Sequence, residues 1–504
     1  MLDNFFIQAL FEILNMKTIL LIVLGTLFGI ISGAIPGFTV TMGILIALPF
    51  TFAMDASDGL ALMMSVFVGG YSGGLVSAVM LGIPGTPSAI TTVYDGFPMA
   101  VKGEPGRALG IGIFSSFFGT VISVVLLATI GPIVAKFALN FGPWEVTAMI
   151  AFALTLVASL ARGALLKGLI GGVVGLLFAT IGIDLNGRVR FDFGLDVMTA
   201  GLSTLAVMIG LFAFSQVMKD IEKMVDSKKA EEKEEVNKKV DIPYLLILKD
   251  MWQQKWNVIR SSLIGVFVGI LPGAGGDVSN FVSYDQARKG SKEPEKFGTG
   301  IPAGIVASES SNNATAGGSL IPTLTLGIPG DMAMAIMMGV LILHGITPGP
   351  MLFQNDSVLV GGIYVSLIIA AIVMLSSMLF LIRIFSKIAS IPVSSLVPIV
   401  IMLCVVGSFT LNRNIFDIWS LFVFGIIGYL LVKAEVPISP LVLGVILGQN
   451  FEHNLFRSLE LNSSLLTFLT RPISLIIIII TVLSVIYSLY QDIKLKKSEN
   501  KIAS

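Results

Sequence analysis

Two stretches of this chain carry the same phrase, an apolar run twice interrupted by Pro-Gly. The first holds Gly33-Ala34-Ile35-Pro36-Gly37 and Gly82-Ile83-Pro84-Gly85; the second holds Gly269-Ile270-Leu271-Pro272-Gly273 and Gly327-Ile328-Pro329-Gly330. Pro36 and Pro84 are 48 residues apart and Pro272 and Pro329 are 57 apart, so the chain reads as a duplicated unit. Proline removes a backbone donor and glycine weakens a helix, so each phrase should break a helix and free backbone polar groups. Hydrocarbon cannot satisfy those groups, and such breaks persist only where protein or a wet cavity surrounds them. Paired interruptions in two halves point to the substrate site of a membrane transporter.

Composition agrees. Mean hydropathy is +0.91 and charged residues make up 13% of the chain, about half the share of a soluble domain. Near-continuous apolar runs at 18–35, 146–160, 165–183, 358–381, 415–432 and 473–490 approach or reach the roughly 20 residues that cross a bilayer. The expected fold is an all-α polytopic membrane protein. It should have about 10–12 transmembrane helices plus shorter broken or re-entrant ones. Asp3 and Glu12 precede the first run, which argues against a cleaved signal peptide. Zero formal charge gives no case for nucleic-acid binding. Cys404 is the one cysteine, so no internal disulfide exists, and with only two histidines, His344 and His453, no dedicated zinc site is expected. The chain has no Gly-x-x-x-x-Gly-Lys-[Ser/Thr] loop, and Gly273-Ala274-Gly275-Gly276 lacks the third glycine of a dinucleotide fingerprint.

The expected organisation is a first membrane repeat over 1–218, a charged linker over 219–255, a second repeat over 256–491 and a basic tail over 492–504. The linker carries Lys228-Lys229 and the run 231–235, rich in Glu; the tail carries Lys494, Lys496, Lys497 and Lys501. The positive-inside tendency puts linker and tail in the cytoplasm and the N-terminus outside. The repeats, about 15–215 and 256–490, would then be inverted, which supplies two exchangeable facing states.

The breaks also gather small polar groups. The first half reads Tyr71-Ser72-Gly73-Gly74, then Pro84-Gly85-Thr86-Pro87-Ser88, then Thr91-Thr92 and Asp95-Gly96. The second reads Ser308-Glu309-Ser310-Ser311-Asn312-Asn313, then Pro329-Gly330-Asp331. Helix N-termini at such breaks present free N–H groups that suit a carboxylate, and freed carbonyls suit a cation. The expected substrate contacts are Pro36, Gly37, Ser72, Pro84, Gly85, Thr86, Ser88, Gly273, Gly275, Ser308, Asn312, Asn313, Pro329 and Gly330. Lys102, Arg107 and Arg288 lie nearby in sequence but outside the breaks. Glu309 and Asp95 are intramembrane carboxylates, functional by default, and are the expected ion-coupling pair; a Na⁺ would sit near Asp95, Glu309 and Asn312. For Asp95 a turn at the membrane face, and for the single Ser and Thr plain helix packing, are the competing readings. Asp277, Asp285 and Asp331 carry the same ambiguity as Asp95.

At these residues the chain resembles the TctA family, the large membrane subunit of tripartite tricarboxylate transporters. The likeness is carried by 33–50, by 71–74 through Pro84–Ser88 to Asp95-Gly96-Phe97-Pro98-Met99-Ala100, and by 106–110. In the second half it is carried by 272–275, 291–298, Glu309 with Asn312-Asn313-Ala314, 322–330 and Pro348-Gly349-Pro350. The family's Ala-Pro-Glu-Ala run stands here as Ala307-Ser308-Glu309-Ser310, which adds hydroxyls beside the carboxylate. The resemblance implies a multi-pass protein of a bacterial inner (plasma) membrane that imports tri- or dicarboxylates on a Na⁺ or H⁺ gradient, without a cofactor. It implies a small TctB-like membrane subunit and a TctC-like extracytoplasmic solute-binding protein as partners, and leaves a homo-oligomer open. The other readings are an ion channel or pore, which needs no duplicated broken pocket, and an intramembrane enzyme, for which the sequence offers no nucleophile–base set.

Overall fold

Every Pro-Gly phrase ends a helix in the computed structural model, which describes residues 2–160, 165–184, 187–226, 240–389 and 397–502. In the first half these are α1 (Met16–Ala34), α2 (Val40–Thr51), α3 (Ala56–Leu81), α4 (Ile90–Val101) and α5 (Pro105–Ala138). In the second they are α6 (Lys255–Ile270), α7 (Gly275–Lys289), α8 (Pro302–Leu326) and α9 (Met332–Leu343). Pro36 separates α1 from α2, Pro84 separates α3 from α4, Pro272 separates α6 from α7, and Pro329 separates α8 from α9. Gly82 and Gly327 close α3 and α8 at φ +64° and +68°, the left-handed cap that glycine takes without strain. Seven helices are long and apolar enough to cross a membrane, and five shorter apolar helices, α2 and α9 among them, accompany them. The chain is an all-α polytopic membrane protein; strand among the described residues is one short ribbon, Gly182–Ile183 against Val189–Arg190.

The chain forms two compact units, Met1–Ala135 with Lys219–Leu403 and Lys136–Met218 with Cys404–Ser504. Each half of the sequence thus gives its break-bearing part to the first unit and its remainder to the second.

In the first unit α1 and α3 run parallel at close range. Lys17 pairs with Asp58 at 2.6 Å where both begin. A methyl on Gly29 would collide with the Val66 carbonyl, one on Gly33 with that of Gly70, and one on Gly73 with that of Ile30. Small residues permit this backbone approach, and membrane helices use it in place of a hydrophobic drive. α6 and α8 repeat the arrangement. Asn257 reaches the Ala303 carbonyl at 2.9 Å near their starts, and methyls on Gly265 and Gly318 would strike the carbonyls of Ser311 and Val266. Gly85, past the second break of the first half, packs on the Gly33 carbonyl, and Gly330 packs on that of Gly269.

α3 and α8 run antiparallel to each other. At one end His344, just past α9, lies on Gly59 in the first turns of α3, and the Gly349 N–H donates to Leu324 O at the end of α8 (3.1 Å). At the other end Gly82, closing α3, packs on Phe97, and Met99 lies against Gly300 just before α8. The last part of the linker is docked rather than loose. Asp250 takes both Nε and Nη2 of Arg107 (2.7 and 3.0 Å), and Asp241 pairs with Arg383 at 2.9 Å. The linker's most charged stretch, 227–239, lies outside the described residues.

The second unit packs helix Leu165–Ala179 on Ile438–Leu461 through Gly175 and Gly444, each against the other's backbone. Arg471 pairs with Glu145 at 2.6 Å and covers the Trp144 ring, and Arg190 grips Glu452 with two hydrogen bonds.

Glycine identity at the tight crossing is testable. Gly29→Ala should destabilise by about 1–3 kcal/mol, because backbone rather than a flexible side chain blocks the methyl. Gly171→Ala, whose nearest neighbour would stand at 3.6 Å, should be neutral or stabilising by up to ~1 kcal/mol. Thermal unfolding of the two purified variants compares them directly.

Candidate functional site

α8 carries the polar chemistry. Its residues 304–325 are all buried, so each polar side chain must find a partner inside protein or leave a costly orphan. Glu309 sits mid-helix with no exposure. Its two oxygens accept from Thr92 Oγ1 on α4 (2.5 Å) and Ser116 Oγ on α5 (2.9 Å). No Lys, Arg or His pairs with it among the described residues. One residue before it, Ser308 donates to Thr91 Oγ1 at 2.9 Å. Asn313 donates to Ser72 Oγ (2.7 Å) and Thr120 Oγ1 (3.2 Å), and Asn312 donates to Tyr71 O at 3.1 Å. A carboxylate held only by neutral side chains is costly to keep charged in a dry interior, and a bound cation or a proton relieves it.

A second cluster gathers the breaks themselves. Gly273 N–H donates to Gly330 O at 2.8 Å, tying the two second-half breaks together. Asn280 on α7 donates to the Ser88 carbonyl, and Ser88 shares a hydrogen bond with Thr86 at 3.0 Å. A methyl on Gly276 would stand 2.9 Å from Ser88 Cβ, 2.9 Å from Asn312 Oδ1 and 2.7 Å from Tyr71 Cε1. Tyr71 OH in turn donates to Asp331 Oδ2 at 3.0 Å. The structure therefore brings Thr86, Ser88, Gly273, Gly275, Asn312 and Gly330 into one neighbourhood. Ser72, Ser308, Asn313 and Glu309 form the adjoining cluster along α8. Pro36-Gly37 keeps to the first-half break, three residues past the Gly33 carbonyl on which Gly85 packs, and Pro84 and Pro329 make no hydrogen bond among the described residues.

Asp95 stands apart. It is not in a surface turn but in α4, with no exposure. Oδ2 accepts from Tyr284 OH at 2.8 Å, and Oδ1 accepts from the N–H groups of Gly298, Gly300 and Ile301 at 3.0, 2.8 and 3.0 Å. Four donors, three of them backbone, make it the anchor of the segment that leads into α8, and Gly304 leaves room for its carboxylate. Lys102 is engaged by the Thr299 carbonyl (2.6 Å) and Arg107 by Asp250 and Glu104. Arg288 lies in the last turn of α7, away from its broken end.

Sequence reasoning missed Ser116, Thr120, Asn280 and Tyr284. Each is a polar group on the buried face of a helix, with partners some 200 residues away. Six buried side-chain oxygens on α7 and α8 have no hydrogen-bond partner: Asn280 Oδ1, Ser283 Oγ, Ser310 Oγ, Ser311 Oγ, Asn312 Oδ1 and Asn313 Oδ1. They are six of the fourteen such atoms among the described residues. Buried polar atoms are seldom left unpaired, so water or a ligand able to hydrogen-bond these oxygens would be accommodated here.

Residues 19–443 match the profile of the tripartite tricarboxylate transporter TctA family. The chain is similar to an uncharacterised 52.8 kDa protein in the TAR-I ttuC′ 3′ region of Agrobacterium vitis, 34% identical over 94% of both chains. It is also similar to an uncharacterised protein in the TAR-II ttuC′ 3′ region of the same organism, 36% identical over 47% of this chain and 98% of that one. No solved structure matches.

An anchoring role for Asp95 makes a distinct prediction. Asp95→Ala strands three backbone donors and should cost several kcal/mol, at about 1–3 per stranded donor, so the protein should melt far lower. Asp95→Asn should recover part of the loss, and whatever uptake remains should keep its ion dependence. A normal melting curve with altered ion dependence would return Asp95 to the coupling role.

Proposed function

Because the chain belongs to the tripartite tricarboxylate transporter TctA family, we propose that it is the large membrane subunit of a secondary transporter that imports tri- or dicarboxylates across a bacterial plasma membrane. The observation that carries this reading is the meeting of a break from each half around Ser88, Gly276 and Asn312. The N-terminus of α7 opens there, and such an end receives anions through free N–H groups and the helix dipole, whereas that of α9 is already capped by Asp331. The anion is met by directional neutral donors, since Lys102 and Arg107 are already engaged elsewhere. The antiparallel course of α3 and α8, with the same helix–return–helix order in both halves, supports inverted repeats whose rocking exposes the site to either side.

Glu309 connects uptake to the ion gradient in this proposal. It is a fully buried carboxylate held by neutral side chains, with no backbone donor, and it adjoins Asn312 and Asn313. A cation or a proton at Glu309 would link the cluster along α8 to the substrate cluster through those two amides. Substrate is delivered by a TctC-like binding protein, and a TctB-like small subunit completes the assembly.

Purified protein in liposomes should exchange a labelled carboxylate for at least one of citrate, succinate or tartrate. Asn312→Ala with Asn313→Ala should cut that exchange roughly tenfold or more, the size expected for hydrogen bonds to a charged ligand, without loss of membrane insertion. Glu309→Gln should still exchange but fail to accumulate substrate against a gradient. Accumulation with wild-type ion dependence in that variant would make Glu309 structural.

A further inference from the structure

One arginine near the start of α6 has no anion to answer it. Arg260 is half-buried, and Asn257 Oδ1, accepting from its Nη2 at 2.7 Å, is its one hydrogen-bond partner among the described residues. Nε and Nη1 make no hydrogen bond; Nε is buried and Nη1 is not. Arg190 also leaves a buried Nε unpaired, but its guanidinium already grips Glu452. Arg260 has no ion pair among the described residues. Asn257 is itself tied to the Ala303 carbonyl at 2.9 Å, so the guanidinium is held in place. Its Nη1 stands at the far end of α7, 3.1 Å from where a methyl on Gly290 would lie. The negative end of that helix already has Arg288 and Lys289 in its last turn. Around Gly290 the segment 285–296 sets Arg288, Lys289, Lys292 and Lys296 against Asp285, Glu293 and Glu295. Lys289 and Lys296 are paired with Asp285 and Glu293, whereas Arg288 and Lys292 are exposed and have no ion pair among the described residues. Positive charge is in excess here before Arg260 is counted.

The neighbouring surface is apolar. In the helix Tyr244–Gln253, Leu245, Leu248 and Trp252 are exposed on one face, while Ile247, Asp250 and Met251 are buried on the other. Lys255 lies over the Trp252 ring at 4.2 Å. α6 continues the stripe with Trp256, Ile259, Leu263 and Phe267, all exposed. A docked helix with one exposed apolar face, and tryptophans where it meets a membrane helix, is the pattern of an element lying in the membrane interface. Arg260 comes four residues after Trp256, about 6 Å further along α6. Hydrocarbon offers its donors nothing. Side chains on a helix lean toward its N-terminus, here toward the headgroups, and a long cationic one reaches back to them. The anion at that level is a lipid phosphate.

We propose that Arg260 receives the phosphate of an anionic phospholipid through Nη1, with Arg288 and Lys292 adding positive charge at the rim. The acyl chains lie along Trp256, Ile259, Leu263 and Phe267. Guanidinium–phosphate hydrogen bonds are of the strong, charge-assisted kind. Arg260 joins the start of α6 to the end of α7, the two helices that meet at the Pro272 break. A phosphate held there closes the base of the hairpin whose tip is that break. The site does not depend on which solute is carried.

The test is thermal unfolding of the purified full chain in phosphatidylcholine nanodiscs carrying rising fractions of phosphatidylglycerol, at constant ionic strength. Phosphatidylglycerol should stabilise the wild type saturably. Arg260→Gln should need about tenfold more of it for half the effect, the size of one lost hydrogen bond to a charged group. Arg260→Lys keeps a positive charge beside the end of α7, so it tests a folded protein if the glutamine variant is unstable; its response should fall between the other two. Inorganic phosphate added to discs of phosphatidylcholine alone should leave the melting curve where it was. No response to phosphatidylglycerol, or a full response to inorganic phosphate, would overturn the assignment. Equal responses in the wild type and both variants would do so too: Arg260 would then serve only to cap α7, and the apolar stripe would fall to a protein partner.

Discussion

A helix opened within a bilayer frees N–H and C=O groups that lipid cannot take up, and the rest of this structure answers that constraint. Four such openings survive because each is nested against backbone. Gly33 carries the Pro84 break, Gly269 carries the Pro329 break, and Gly273 N–H reaches Gly330 O directly. Nesting at that range requires the glycines that let α1 meet α3 and α6 meet α8. The tight crossings and the open backbone are one device: the first supplies the walls that the second needs.

The same constraint sorts the carboxylates. Asp95 is surrounded by donors and holds the chain that enters α8. Glu309 has neutral side chains alone, with no backbone donor. Asp277 has no partner among the described residues, and Asp331 has a cap and a tyrosine. Donor supply, rather than depth in the membrane, distinguishes an anchor from a group left able to bind something.

Much of this was legible in the residues. Pro-Gly phrases located every break because their effect is local: a missing donor and a permissive backbone act wherever they fall. Glu309, Asn312 and Asn313 stood out because polar residues in an apolar run cannot be accidental burial. Asp95 was legible as a buried carboxylate but not as an anchor, since its donors lie at 284 and 298–301 and follow no local spacing. Thr92, Ser116 and Thr120 look like ordinary packing residues until the fold sets them against α8. The two compact units escaped the sequence for the same reason. The recurring Pro-Gly phrase is written along the chain, whereas each unit is assembled from separated pieces of both halves.

The burial of α8 has a consequence for how the molecule is made. The helix has neither a lipid face nor a water face, and with Glu309 and two Asn it is absent from the seven spans apolar enough to cross alone. It cannot enter the bilayer as an independent segment and must be received by helices already there. The partners outside the helix of its polar side chains between Ser308 and Thr315 (Tyr71, Ser72, Thr91, Thr92, Ser116, Thr120 and Ser279) precede it in the chain. Synthesis from the N-terminus therefore delivers the polar slot before the polar helix that fills it, and the order of the genetic message becomes part of the insertion mechanism.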